Sequence, residues 1–186
     1  MIEENIVQPN ELLTKYKEYE YILNVDRKEL TDSLFAGEKK PLAEIKEQIA
    51  HYDRAYKEIM TCSEDDIDFN IFKVVTKKLK TELGDQAAKT RDKILEATYN
   101  WCNETVVDVR KTYTLMFQKI DHDPVNEREL IETRDFISKT PQEVERLTDI
   151  LREVQRHHEM LESFSYMYKE TDIDGFWMMK IWPLRI

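Results

Sequence analysis

The chain has 186 residues, with 28 Lys and Arg against 38 Asp and Glu, and only 3 Gly and 5 Pro. So few turn residues exclude a many-stranded sandwich or barrel, which needs a turn signal about every 8 to 12 residues. A net charge of −10 argues against DNA or RNA as a partner, because phosphate binding is driven by clustered Lys and Arg releasing counterions, while 41% hydrophobic residues, aromatics included, are enough to bury a core.

Long helices are what remain, and the expected class is all-α: an elongated antiparallel bundle of coiled-coil-like helices. Residues 1–62 read as an N-terminal helical hairpin. Its first helix is expected to start at Pro9-Asn10-Glu11, with Leu12, Tyr16, Tyr19, Leu23, Leu30 and Leu34 on one face and Gly37 past its end. The second starts at Pro41 and carries Leu42, Ile45, Ile49, Tyr52, Tyr56 and Ile59 at alternating spacings of three and four, a coiled-coil-like seam. Residues 63–72 (SEDDIDFNIF) change to a period of two after an acidic cluster and read as an extended connector.

Residues 73–170 read as a long antiparallel helix pair. From Lys73 to Ile120 no Pro occurs and the only Gly is Gly84, while Leu79, Leu83, Ala87, Ile94, Trp101, Val109, Met116 and Ile120 keep helical spacing. One glycine costs about 1 kcal/mol against alanine, too little to end such a helix. The helix stops at Asp121-His122-Asp123-Pro124, where Asp123 caps and Pro124 opens the next. Thr140-Pro141-Gln142-Glu143 is a capping box with proline at the first helical position, so a break or kink is expected at 139–141. Beyond it Val144, Leu147, Leu151, Val154, His158, Leu161, Ser165 and Tyr168 form the seam, which makes His158 a polar core residue that sets register. Residues 171–186 read as a short helix and a lead into a following domain.

Catalytic chemistry is hard to place. None of Gly37, Gly84 and Gly175 opens the G-x-x-x-x-G-K-[ST] of a phosphate-cradling loop, and no H-E-x-x-H occurs. The Glu/His pairs Glu47/His51 and Glu153/His157 stand four apart, not at the three-residue spacing of a bundle di-iron site. The expectation is no catalytic, cofactor-binding or metal-binding residue. No run of 18 to 20 apolar residues offers a membrane span, the acidic start MIEENIVQPN does not resemble a signal peptide, and Cys62 and Cys102 lie outside any C-x-x-C pattern. These features place the chain in the cytoplasm with reduced thiols and no membrane partner. The stretch FWMMKIWPLRI at 176–186 is unusually apolar for a chain end, so Phe176, Trp177, Ile181, Trp182, Leu184 and Ile186 are the candidate packing or interface residues.

Residues 127–186 carry a further pattern: ELIETRDFI at 129–137, Lys139-Thr140-Pro141, a heptad helix, Glu162-Ser163-Phe164, and a close on Trp182-Pro183-Leu184-Arg185-Ile186. This resembles the tail of dynein heavy chains, particularly the axonemal ones, just before the linker domain. Upstream, 69–83 followed by KTRDKIL at 89–95 is similar to the long tail helix that precedes it, so the resemblance covers about residues 67–186; over 1–62 only helical-bundle character matches. The resemblance implies a structural segment of a microtubule motor in the cytoskeleton of the cilium. ATP and magnesium would belong to a ring far downstream. The implied partners are the linker domain, intermediate or light chains and other tail helices, and no catalytic residue carries over. A spectrin-like or coiled-coil adaptor unrelated to motors stays open at this point.

Overall fold

The computed structural model describes residues 2–35, 40–62, 64–68 and 73–167, and among the described residues the protein is all-α, 82% helical. The chain divides into two compact units, Met1–Ala97 and Thr98–Ile186. The residues proposed to form a last short helix and interface, 171–186, lie outside the described residues.

The first unit opens with three helices where the sequence predicts one: α1 (Ile2–Lys17), α2 (Tyr21–Asn24) and α3 (Arg27–Phe35). Helix α1 starts before Pro9 and runs through it. The proline removes one backbone bond. After Lys17 the chain tightens, with the amides of Tyr19, Glu20, Ile22 and Leu23 each donating to the carbonyl three residues back at 3.1 Å. Val25 is extended, and the Asp26 carboxylate then caps α3 by accepting from the amides of Lys28 (2.8 Å) and Glu29 (3.2 Å). This restart rotates the buried face. Ile22 is 2% exposed, while Leu23, expected on the seam, is 59% exposed.

Helix α4 (Leu42–Thr61) starts after Pro41 as expected and buries Ile45, Ile49, Tyr52, Ala55 and Ile59. Two short strands follow, β1 (Asp66–Asp68) and β2 (Lys73–Val75), paired antiparallel with Ile67 opposite Val74. Part of the expected helix therefore becomes a strand, and α5 (Lys77–Ile120) begins four residues later than the sequence suggests. The β-branched Val74 and Val75 favour the ladder. The buried Thr76 ends it, its hydroxyl donating to the carbonyls of Glu64 (2.6 Å) and Asp65 (3.2 Å) and its amide to Asp65 (2.9 Å). Two lysines of the basic run at 73–80 are used locally. Lys73 pairs with Asp66 at 2.8 Å, and the buried Lys80 pairs with Asp65 at 2.9 Å, holding that carboxyl below its usual range.

The core of this unit gathers Tyr16, Ile22, Ala55, Ile59, Leu83 and Ala87, flanked by Leu12, Tyr19 and Tyr56. Each large apolar side chain buried here is worth about 1.5–3 kcal/mol. The α5 segment runs antiparallel to α4, since Arg91 meets Asp53 at 2.9 Å while Gly84 lies against Tyr56 and Met60. The glycine has a packing reason: an added Cβ would stand 3.3 Å from the Met60 sulfur.

In the second unit the rest of α5 packs against α6 (Glu127–Ser163). Trp101 contacts His157 and Lys119 sits over Phe136, so the two run antiparallel. The cap of α6 is Asn126, not Asp123. Its side chain accepts from the Glu129 amide at 2.9 Å, and the Glu129 carboxylate accepts from the Val125 amide and the Asn126 side chain, each at 2.9 Å. This reciprocal box predicts that Asn126→Ala costs about 0.5–2 kcal/mol, to be read from urea unfolding.

Of the break or kink expected at 139–141, the helix shows no break: α6 is one 37-residue helix with Pro141 inside it. Thr140 does not cap. It is buried and its hydroxyl donates to the Phe136 carbonyl at 3.0 Å. Phe136, Thr140, Val144 and Leu147 carry one inward stripe across the proline, and that packing outweighs the one backbone bond a proline forfeits.

Candidate interaction face of the α5–α6 hairpin

The inner seam of the second unit consists of Cys102, Val106, Val109, Tyr113 and Met116 of α5 with Leu147, Leu151 and Val154 of α6, and Trp101, Phe136, Val144 and Ile150 packed at its flanks. The imidazole in this seam is not the one expected. His157 is fully buried, its ring 4.7 Å from that of Trp101 and its Nδ1 2.8 Å from the Glu153 carbonyl. His158 is half-buried. Burial lowers its pKa from the ordinary value, and Glu162 opposes that shift. The frame holds on either side, with Val154 and Leu161 fully buried, and at this turn the imidazole that faces Trp101 is His157.

Charged side chains of the first unit are also placed. Arg27 reaches from α3 to α5, its Nε donating to the Thr90 hydroxyl at 3.1 Å and its guanidinium also meeting Gln86. Asp53 is held below the usual carboxylate range by Lys57 at 2.6 Å and by Arg91 at 2.9 Å. Sequence reasoning misses these cross-helix contacts because charged residues at single positions leave no periodic signal. Arg27 and Arg91 join neighbouring helices, while Lys57 pairs with Asp53 within α4.

Tyrosines give the fold a pH dependence. Burial, reinforced by Glu58 whose carboxylate accepts from the phenol at 3.3 Å, pushes Tyr19 up to about 12. Burial also raises Tyr21, Tyr52 and Tyr113. A phenol whose folded pKa is raised contributes stability that is complete below its unfolded pKa of about 10 and lost as pH rises through the folded value. Urea midpoints should hold steady from pH 8 to 9.5 and fall between pH 10 and 12, with Tyr19→Phe flattening part of that fall. For His158 the sign is opposite: its contribution is present above about pH 6.5 and lost as pH drops through its depressed pKa.

Beyond the seam, α5 presents a second apolar strip that the sequence does not announce. Val107 (47% exposed), Arg110, Lys111, Thr114, Leu115 (65% exposed) and Gln118 line a shallow open groove, on the side of the helix turned away from α6. Its positions recur at helical spacing, but they lie outside the dominant stripe, and periodicity reports the most apolar face first. Leu130, Ile131 and Val125 add exposed apolar surface at the hairpin's turn. The sequence-derived interface residues Phe176, Trp177, Ile181, Trp182, Leu184 and Ile186 all lie outside the described residues.

Among the described residues no group of three or more His, Cys, Asp or Glu side chains could hold a metal ion, and no helix is long and apolar enough to cross a membrane. Comparison of the chain with protein-family models and with curated proteins finds no match.

Proposed function

We propose that the chain is a non-catalytic scaffold segment of the kind found in axonemal dynein heavy-chain tails, positioning a microtubule motor and transmitting its force. The observation that carries the reading is the coincidence of the tail-like motif with the helical hairpin. The residues of ELIETRDFI and Thr140-Pro141 fall on α6, where Phe136 and Thr140 join the inward stripe while Leu130, Ile131 and Ile137 remain on the surface. Buried side chains here serve packing and the surface is left for partners, a division suited to a strut and unsuited to a substrate pocket.

In this reading load enters along α5 and α6. Helices resist axial stretch because the backbone hydrogen bonds of each turn lie nearly parallel to the axis and share the load, and the interlocked seam keeps the pair from sliding. The partners are a following linker-type domain reached through 171–186, intermediate or light chains, and other tail helices. ATP and magnesium act in a distant ring of the parent motor and not on this segment.

Fractionation of ciliated cells tests the reading. With a tag at the native locus, the protein should accumulate in the axonemal fraction of isolated cilia. Confinement to the cell body would favour an adaptor unrelated to motors.

A further inference from the structure

The outward strip of α5 does not end at Gln118. Leu115 and Gln118 also line a second shallow groove, which turns toward α6 and is bordered by Lys119 and His122 of α5 and by Glu129 and Glu132 of α6. The two grooves are therefore continuous from Val107 to His122, about 22 Å along the helix axis. Val107 and Leu115 are the apolar anchors, about 12 Å apart, a spacing that residues seven or eight apart on a helix laid alongside would meet. An extended occupant fits less well. The backbone of α5 is bonded within its own helix and has no ladder to offer, whereas a helix satisfies its own amides and carbonyls.

Charges along the groove differ in how far they are already committed. Both carboxylates are taken: Glu129 accepts from the Val125 amide and the Asn126 side chain at 2.9 Å each, and Glu132 accepts from Arg128 at 3.2 Å. The cations are freer. Arg110 has no carboxylate partner among the described residues, Lys119 lies over the Phe136 ring, 4.3 Å from its centre, and Lys111 meets Asp108 at 3.0 Å in a pair exposed enough to contribute little. The charge left unanswered is positive, on a chain whose net charge is −10. Salt screens surface charges beyond about 8 Å at physiological ionic strength, so an occupant lying in the groove meets this local excess and not the net charge.

We propose that the groove from Val107 to His122 docks an acidic amphipathic helix of another protein, its apolar side chains on Val107 and Leu115 and its edge Asp or Glu residues against Arg110, Lys111 and Lys119. The proposal does not rest on the motor reading. It concerns the chemistry of the occupant and not the complex from which that helix comes.

A displayed library tests it. Three-heptad helices with Leu, Val or Ala at the a and d positions and Glu or Lys at e and g are selected on the immobilised full chain. Enriched helices should carry Glu at e and g at least tenfold more often than Lys. Their recovery should fall at least tenfold on Leu115→Asp, which leaves the circular dichroism unchanged because the side chain is exposed. Arg110→Glu with Lys119→Glu should turn the preference toward Lys, an outcome that a failure to fold does not produce. Enrichment of Lys on the original chain, no enrichment at all, or recovery that Leu115→Asp leaves unchanged would overturn the proposal. So would retention of single-stranded DNA that the charge reversal abolishes, which would assign the cations to phosphate, or a dimer in sedimentation velocity that Leu115→Asp dissolves, which would assign the groove to a second copy.

Discussion

Truncating Tyr113 to alanine should destabilise the second unit by about 3–5 kcal/mol, whereas Ile131→Ala should change stability by no more than about 0.5 kcal/mol. Tyr113 is fully buried at the centre of the α5–α6 seam, among Cys102, Val106, Val109 and Met116 on its own helix and Leu147, Leu151 and Val154 opposite. Removing the ring deletes its transfer free energy and leaves a cavity that two helices held along their whole contact cannot collapse to fill. Ile131, on the outer side of α6, is 54% exposed and leaves no cavity. In a thermal melt the first change should lower the midpoint by on the order of 10 °C and the second by about 1 °C. Similar shifts for both would mean that the seam is not where the core lies.

The second large effect separates the restarted N-terminal helices from a single continuous one. Ile22→Ala should cost about 2–5 kcal/mol, because Ile22 is 2% exposed and packs with Tyr16, Ala55, Ile59, Leu83 and Ala87. Leu23→Ala, one position along, should cost about 0.5 kcal/mol or less, since Leu23 is 59% exposed. A continuous helix on the 12, 16, 19, 23 frame would give the reverse order. Urea unfolding of the two variants decides between the frames, and the difference between them is a factor of more than ten in the folding equilibrium constant.

The same pair shows how far the fold is legible in the amino-acid sequence. Helix α4 and most of α5 follow from apolar spacing alone, because neither contains a proline and the one glycine, Gly84, costs too little to end a helix. The break ahead of α3 is readable in principle: Asp26 followed three residues later by Glu29 is a capping signature. An apolar stripe drawn straight through it conceals the signal. The opposite error arises at Pro141, where a well-formed capping box stays unused because Thr140 turns its hydroxyl back onto the helix and the stripe from Phe136 to Leu147 remains buried. In both places tertiary packing chooses between two local options that the sequence offers together.

The candidate surface is harder to read. The exposed strip on α5 contributes only two large apolar residues, Val107 and Leu115, too few to register beside the dominant seam. The basic run at 73–80 reads as an isolated patch until the hairpin places Asp65 and Asp66 against Lys80 and Lys73. Charge patterning along a chain does not say which charges meet. His157 and His158 are adjacent candidates for one buried position, and it is the fully buried His157 that meets Trp101 across the seam.

The scaffold reading makes one demand that outranks the others, namely that this segment be joined to a motor. Sequencing the complete transcript that encodes the chain tests it directly. The account predicts an open reading frame that continues past Ile186 into a long chain bearing G-x-x-x-x-G-K-[ST] phosphate-binding loops. A stop codon immediately after Ile186 would contradict it.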